Sequence, residues 1–233
     1  MKKILLFPIV LLVLIGCGKK KAENNLHLTG NIKGLKKGTL YIQRFENAAL
    51  KAIDTIEIDG DSHFETDIIL KSPEMLYLFL DRGVTNSIDN NLPFFAEAGE
   101  MNIETQLDSY FAKATITGSQ NQKLYEQYQK GNKVFNEKLL VLATERFTAL
   151  KNKNQAELIR IENVEQSILK RKYLYTVNFA LNNAKYDVSP FVVLSEISDI
   201  NEKYLDTIQK SLSPKVKESF YGKKFMDLHN SLK

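Results

Sequence analysis

Hydrophobic and polar residues alternate with period two over residues 26–118, and recur at spacings of three and four beyond residue 120. Alternation indicates half-buried β-strands, whereas the longer spacings indicate amphipathic helices. The sequence therefore predicts an α+β fold, with a β domain over residues 26–118 and a helical domain over residues 119–233.

Glycine-containing turns separate the strands of the β half. Asp59-Gly60-Asp61 stands between two alternating runs and predicts a hairpin, because glycine tolerates the positive φ that the turn requires. Residues 75–80 form a nearly continuous apolar run, which is typical of a central strand. We expect an antiparallel, sandwich-like meander of hairpins that ends at Gly118.

The helical half contains two long amphipathic segments. Their apolar stripes consist of Phe135, Leu139, Leu142, Ile161, Val164, Ile168, Tyr175 and Phe179. Asn152-Lys153-Asn154 separates the segments and predicts the turn of a helical hairpin. Ser189-Pro190 and Ser213-Pro214 predict the starts of short helices, because proline suits the first helical turn.

The N-terminal residues have a pattern of their own. Two lysines precede an apolar run over residues 4–15, which ends in Gly16-Cys17. This run is shorter than the roughly 20 apolar residues of a membrane span, and predicts a secretory signal peptide over residues 1–16. Its end resembles the bacterial lipobox, which implies that Cys17 is lipidated. An ordinary signal peptide with a coincidental cysteine is the alternative.

A polar tether over residues 17–25 follows the signal peptide and contains three lysines. Gly18 follows the cysteine, and no acidic cluster resembling a surface-export signal is present. We therefore expect a lipid-anchored protein of the outer membrane that faces the periplasm, with the membrane as its partner through the anchor.

Composition excludes two classes of function. The formal net charge is +4, half of it from the signal peptide, and both signs are dispersed, so no nucleic acid partner is expected. Cys17 is the only cysteine, so the chain cannot exchange dithiols and disulfides by itself.

Candidates for catalytic or metal chemistry are few. The three histidines, His27, His63 and His229, lie in different predicted elements and lack the spacing of metal ligands. The acidic residues around Gly60 form an incomplete calcium loop, and no nucleophile motif is present. We expect no enzymatic activity, no cofactor and no metal.

Six aromatic residues are concentrated in the later strands of the β half. They are Tyr77, Phe79, Phe94, Phe95, Tyr110 and Phe111. One sheet face requires fewer, so these residues are candidates for a partner surface, although packing in the core is the favoured interpretation.

Several short motifs follow one another in a recognisable order. They are Gly30-Asn31-Ile32-Lys33-Gly34-Leu35, Asp59-Gly60-Asp61-Ser62-His63-Phe64, Phe94-Phe95-Ala96-Glu97-Ala98-Gly99 and Thr117-Gly118-Ser119-Gln120-Asn121. Together they resemble the uncharacterised N-terminal domain of Bacteroidota lipid-anchored thiol:disulfide oxidoreductases, over residues 26–128 and more loosely to residue 222. Those relatives continue into a thioredoxin-like module with a Trp-Cys-x-x-Cys site. This sequence has no tryptophan and no second cysteine.

The leading hypothesis is a non-enzymatic interaction module that positions an envelope partner, such as a thioredoxin-fold protein docking in trans. The alternative is a lipoprotein that binds a small ligand or glycan between the sheet and the helices. An enzyme of unrecognised type is third. A flat apolar patch would favour the first hypothesis and a concave pocket with convergent polar groups the second. The sequence predicts no oligomeric state.

Overall fold

The computed structural model describes residues 25–46, 48–83, 88–197 and 201–231. The strands are β1 (Leu26–Lys33), β2 (Lys37–Glu46), β3 (Ala49–Asp59), β4 (His63–Ile68), β5 (Glu74–Asp81), β6 (Asn91–Ala96), β7 (Gly99–Gln106) and β8 (Thr115–Thr117). The helices are α1 (Gln120–Lys151), α2 (Gln155–Asn182), α3 (Val188–Glu196), α4 (Glu202–Ser211), α5 (Pro214–Lys217) and α6 (Phe220–Ser231). The predicted signal peptide and Cys17 lie outside the described residues.

The strands form two four-stranded sheets, which confirms the predicted α+β class. Their orders are β4-β1-β7-β8 and β3-β2-β5-β6. One pair departs from the antiparallel prediction, because β1 and β7 run parallel, with Leu26 opposite Gly99 and Lys33 opposite Gln106. A parallel pair needs a long crossover connection, which the five intervening strands provide.

The predicted meander of hairpins is wrong at Asp59-Gly60-Asp61. Gly60 has the expected positive φ of 93°. However, the turn leads from β3, at the edge of one sheet, to β4, at the edge of the other. Ile58 and Phe64, on either side of the turn, are buried in the same core. Local turn chemistry is thus as predicted, but the strands on either side pair in different sheets, with Ile58 and Phe64 meeting in the core between them.

The helical hairpin is as predicted, except that Val164 of the predicted apolar stripe is exposed. Asn152-Lys153-Asn154 separates α1 from α2, and the Asn154 side chain caps α2 by accepting a hydrogen bond from the Glu157 N–H at 3.1 Å. Ser213 caps α5, with Pro214 at its first turn. Pro190 lies inside the first turn of α3, which begins at Val188.

An apolar cluster joins the sandwich to the helices. The side chains of Met75 and Phe95 project from the outer face of their sheet and pack with residues of α1, α3 and α6. The ring of Phe95 lies 5.9 Å from that of Tyr221, whose hydroxyl accepts a hydrogen bond from the Met75 N–H at 3.0 Å. Strands β5 and β6 are therefore covered on both faces, by the second sheet and by the helices, whereas most of β3 is exposed.

Polar contacts fix the corner where β6 leads into β7 and α1 begins. The Glu97 carboxylate accepts hydrogen bonds from the Ser119 hydroxyl, the Asn121 N–H and the Asn121 side-chain amide, each at 3.0 Å. The Ser119 hydroxyl also caps α1 by accepting from the Gln122 N–H at 3.0 Å. We call Glu97, Ser119, Asn121 and Gln122 the corner network.

The corner network extends into both halves of the protein. The side-chain oxygen of Gln122 accepts a hydrogen bond from the Phe95 N–H of β6 at 2.7 Å. The side-chain oxygen of Asn121 accepts one from the Val188 N–H, where α3 begins, at 2.9 Å. Both side chains are buried. The network therefore specifies how α1 and α3 sit on the sandwich.

We expect Asn121→Ala to lower the free energy of unfolding by about 1–3 kcal/mol, because the buried Val188 N–H loses its acceptor. Asn163→Ala is the matched control, since Asn163 is exposed on α2; its effect should stay within about 0.5 kcal/mol. Urea unfolding of both variants measures the difference. Equal effects of the two substitutions would contradict the role given to the corner network.

Candidate functional site

Three of the six candidate residues for a partner surface are buried, which excludes them from such a surface and agrees with core packing. Phe94 and Phe95 are 0% exposed and Tyr110 is 3% exposed. Phe94 lies in the core between the sheets, whereas the Phe95 ring packs edge-on against Phe191 of α3 at 5.4 Å. The Tyr110 hydroxyl donates to the Leu78 carbonyl at 3.0 Å.

The other three aromatic residues do not form a common surface. Tyr77 is half-buried in the cluster beneath the helices, and Phe79 stacks on Tyr41 with ring centroids 6.3 Å apart. Phe111, which is 57% exposed, belongs to neither arrangement. Part of the excess of aromatic residues is explained by β5 and β6, which are covered on both faces: Phe94 packs between the sheets, and Tyr77 and Phe95 pack beneath the helices.

The histidines lie apart, and each is paired with one aspartate. The pairs are His27 with Asp67, His63 with Asp61, and His229 with Asp206, at 2.7–2.8 Å. The hydrogen bond that the His27 ring donates to the Asp67 carboxylate raises the pKa of His27, which is exposed. Across the described ranges, no group of three His, Cys, Asp or Glu side chains is placed to hold a metal ion.

Large exposed apolar side chains fall into two main groups. The first, which we call the hairpin patch, consists of Val134, Leu140, Val141, Phe147, Leu150, Ile159, Val164 and Leu169 of α1 and α2. The second consists of Phe45, Leu50, Ile69 and Phe220. These groups, rather than the predicted aromatic set, are the apolar surfaces available for binding.

The hairpin patch belongs to the part of the hairpin that buries least. Over residues 134–169, only Leu142, Ala149 and Ile161 are buried. Leu140 and Phe147 are 69% and 71% exposed, and their spacing of seven residues places them two turns apart on one side of α1. Packing between the two helices therefore does not account for the exposed apolar side chains of this part of the hairpin.

Ion pairs hold the two helices of the patch against each other. Arg146 of α1 pairs with Glu165 of α2, and Arg160 of α2 pairs with Glu145 of α1 at 2.5 Å. These contacts pair four charged side chains across the two helices. The apolar side chains beside them have no comparable partner among the described residues.

The second apolar group surrounds a groove of about 750 Å³. The groove lies where the end of β2, the β4–β5 connection and the start of α6 meet. Its lining includes Arg44, Phe45, Ile69, Lys71, Ser72, Glu74, Phe220 and Lys224. We call this feature the junction groove. The Ser72 hydroxyl accepts a hydrogen bond from the Phe220 N–H at 3.1 Å and so fixes α6 at its edge.

A two-pronged ion pair forms one side of the junction groove. The Arg44 guanidinium donates two hydrogen bonds to the Glu74 carboxylate, both at 2.8 Å. Burial raises the pKa of the Glu74 carboxyl, and the Arg44 charge opposes that rise. Lys224 lies over the Phe220 ring at 4.5 Å, as a cation–π contact. Charged and apolar groups thus meet in one concave site.

The sandwich and the first turns of α1 can now be compared with known families. Residues 26–125 match the model of a domain of unknown function, DUF4369. Comparison of the chain with curated proteins and with solved structures gave no match. The resemblance to an uncharacterised domain is confirmed, while the oxidoreductase setting stays a prediction. Within the described residues, no helix has the length and apolar character to cross a membrane.

The DUF4369 segment contains the whole corner network. Glu97, Ser119 and Asn121 stand in the motifs that carry the resemblance, and the structure gives them a structural role. Sequence reasoning missed the junction groove, because Arg44 and Glu74 are 30 positions apart and only strand pairing brings them together. The sequence signal that could have indicated the groove was an aromatic residue outside the alternating pattern of the strands, such as Phe220.

We expect Arg44→Ala to destabilise the protein by about 2–3 kcal/mol at neutral pH, because the buried Glu74 carboxylate loses its counter-ion. The deficit should shrink at about pH 4.5. In the variant the folded-state pKa of the Glu74 carboxyl stays above its ordinary value of 4.5. The free energy of unfolding of the variant therefore falls as the pH rises from 4.5 through that folded-state pKa.

Urea unfolding of Arg44→Ala at several pH values measures this dependence. Arg160→Ala removes an arginine whose ion pairs are exposed, and serves as the control with little effect at any pH. A deficit for Arg44→Ala that grows at acidic pH would contradict the prediction.

Proposed function

We propose that this protein is a non-enzymatic interaction module, anchored by a lipid on Cys17 in the outer membrane and facing the periplasm. Its helical hairpin binds an envelope protein. The observation that carries the proposal is the hairpin patch, whose eight apolar side chains are 36–71% exposed. Single exposed apolar residues are ordinary, but eight on the two helices of one hairpin, with Leu140 and Phe147 on the same side of α1, favour a protein interface.

The shape of the patch supports a protein partner. A shallow depression of about 430 Å³ between α1 and α2 is lined by Leu150, Leu158, Arg146, Glu162 and Glu165, among others. Leu150 of the hairpin patch lines this depression beside charged side chains of both helices. These charged groups form a polar rim for the proposed interface and contribute selectivity.

The partner class follows from the resemblance of the DUF4369 segment. In the relatives that carry a thioredoxin-like module, that module and the DUF4369-like domain are parts of one chain. Here a thioredoxin-fold or other envelope protein would dock in trans. Because Cys17 is the only thiol, any dithiol chemistry would belong to the partner.

The anchor is tested on Cys17. We expect the wild-type protein, expressed in a Gram-negative host, to incorporate labelled palmitate and to sediment with membranes. Cys17→Ser should lose the label, because the thiol is the attachment atom for the diacylglyceryl group. The substitution leaves the apolar run and Gly16 unchanged, so export itself should continue. A wild-type protein without label would contradict the proposed anchor.

The hairpin is tested by photo-crosslinking in cells. A photoreactive residue in place of Phe147 should give a defined adduct with one envelope protein, because this side chain is the most exposed of the patch. The control is the same residue in place of Phe111, which is 57% exposed but lies outside the patch.

A second variant separates binding from folding. Leu140→Ser combined with Phe147→Ser should abolish co-purification of the partner, yet change the free energy of unfolding by no more than about 0.5 kcal/mol, because both side chains are exposed. Equal adducts at positions 147 and 111, or co-purification that survives the double substitution, would contradict the proposal.

The junction groove favours a second candidate function, the binding of a small ligand or glycan. Its volume of about 750 Å³ is in the range of ligand sites, and Arg44, Glu74 and Lys71 converge on it. Phe45 and Phe220 supply exposed rings on which a sugar or another flat ligand can pack. The groove lies between the sheet and α6, rather than against the helical hairpin.

A further inference from the structure

The tether joins the folded protein beside the junction groove. Asn25 is the first residue that the structure describes. Its side-chain amide donates to the Leu70 carbonyl at 2.7 Å and its side-chain oxygen accepts from the Leu70 N–H at 2.9 Å. Its N–H also donates to the Ile68 carbonyl at 3.1 Å. The two neighbours of Leu70, Ile69 and Lys71, line the groove.

The tether is short compared with the protein. Cys17 precedes Asn25 by eight residues, and eight residues span at most about 25–30 Å when fully extended. With a lipid on Cys17, as proposed above, Asn25 lies within that distance of the bilayer. The part of the protein around the junction groove, which we call the groove end, therefore stays near the membrane.

The chemistry of the groove end matches a membrane surface. Phe45, Leu50, Ile69 and Phe220 are 37–50% exposed there, and Phe45 lies directly opposite Leu50 across the β2–β3 hairpin. Leu50 extends the apolar surface beyond the groove itself. Apolar side chains that lie beside basic ones are typical of surfaces that rest in the headgroup region.

The charge around these side chains favours anionic lipid. Lys71 and Lys224 are exposed at the groove. The two carboxylates of the groove are neutralised locally, since Glu74 pairs with Arg44 and Glu46 lies within 3.8 Å of Arg44 and Lys51. The remaining lysines are therefore available to lipid phosphates.

We infer that the groove end of the protein docks on the anionic bilayer that carries its own anchor. Phe45, Leu50, Ile69 and Phe220 enter the headgroup region, and Lys71 and Lys224 contact lipid phosphates. The inference rests on the proposed lipidation of Cys17. It assigns the groove to the bilayer rather than to a soluble ligand, because the chain leaves the folded domain at this site.

Tryptophan fluorescence tests the inference, because the sequence contains no tryptophan. Phe45→Trp and Phe220→Trp place single reporters at the groove, and Phe147→Trp places one on the hairpin patch as the matched control. Each full-length lipidated protein is reconstituted into vesicles of phosphatidylethanolamine and phosphatidylglycerol, with or without bromine on the acyl chains. Bromine quenches tryptophan only on contact.

We expect brominated lipid to reduce the fluorescence of the two groove reporters by roughly twofold, and to leave the hairpin reporter nearly unchanged, because only the groove end reaches the headgroup boundary. Adding Lys71→Gln and Lys224→Gln to the Phe45→Trp protein should weaken the quenching. Lys133→Gln, on the hairpin, should not.

The outcomes separate the inference from the proposal on which it rests. Mass spectrometry of the purified protein reports the acyl chains, and their absence would overturn both. Acylated protein with unquenched groove reporters, or with equal quenching at all three positions, would overturn the inference alone. Unquenched groove reporters would also return the groove to the soluble-ligand candidate.

Discussion

The arrangement of the protein depends on the Glu97 carboxylate at the start of α1. A helix begins with N–H groups that lack internal partners and with a positive dipole end, so a carboxylate is stabilised there. Glu97 accepts three hydrogen bonds from Ser119 and Asn121. Asn121 and Gln122 then bind the backbones of α3 and β6. Apolar packing supplies much of the stability, but these directional contacts decide the angle between sandwich and helices.

That angle brings the helices over β5 and β6 and explains the composition of these two strands. Adjacent residues of a strand point to opposite faces. Phe94 accordingly enters the core between the sheets and Phe95 the cluster beneath the helices, and both are 0% exposed. A sheet buried on both faces needs apolar residues at consecutive positions. The aromatic residues of the later strands therefore serve packing, and exposed apolar surface occurs on α1, α2 and the groove end instead.

Local features of the fold could be predicted from the sequence, and pairing over long distances could not. The change of period near residue 120 and the turn at Asn152-Lys153-Asn154 are properties of neighbouring residues, and both predictions are confirmed. The positive φ of Gly60 could be predicted from the turn sequence. The placement of β3 and β4 in different sheets could not, because it depends on contacts with residues far away in the sequence. The Arg44–Glu74 pair likewise exists only once β2 lies against β5.

The proposed anchor and the two exposed surfaces make different physical demands. A lipid anchor restricts where the protein is but not how it is turned, and the two acyl chains of a diacylglyceryl group hold it durably. A second, weak contact beside the tether restricts rotation at little cost, because the anchor has already raised its effective concentration. Neither Phe45 nor Phe220 therefore needs to bind lipid strongly. The hairpin patch belongs to different elements, so the proposed membrane contact at the groove would not compete with the proposed partner protein at Phe147.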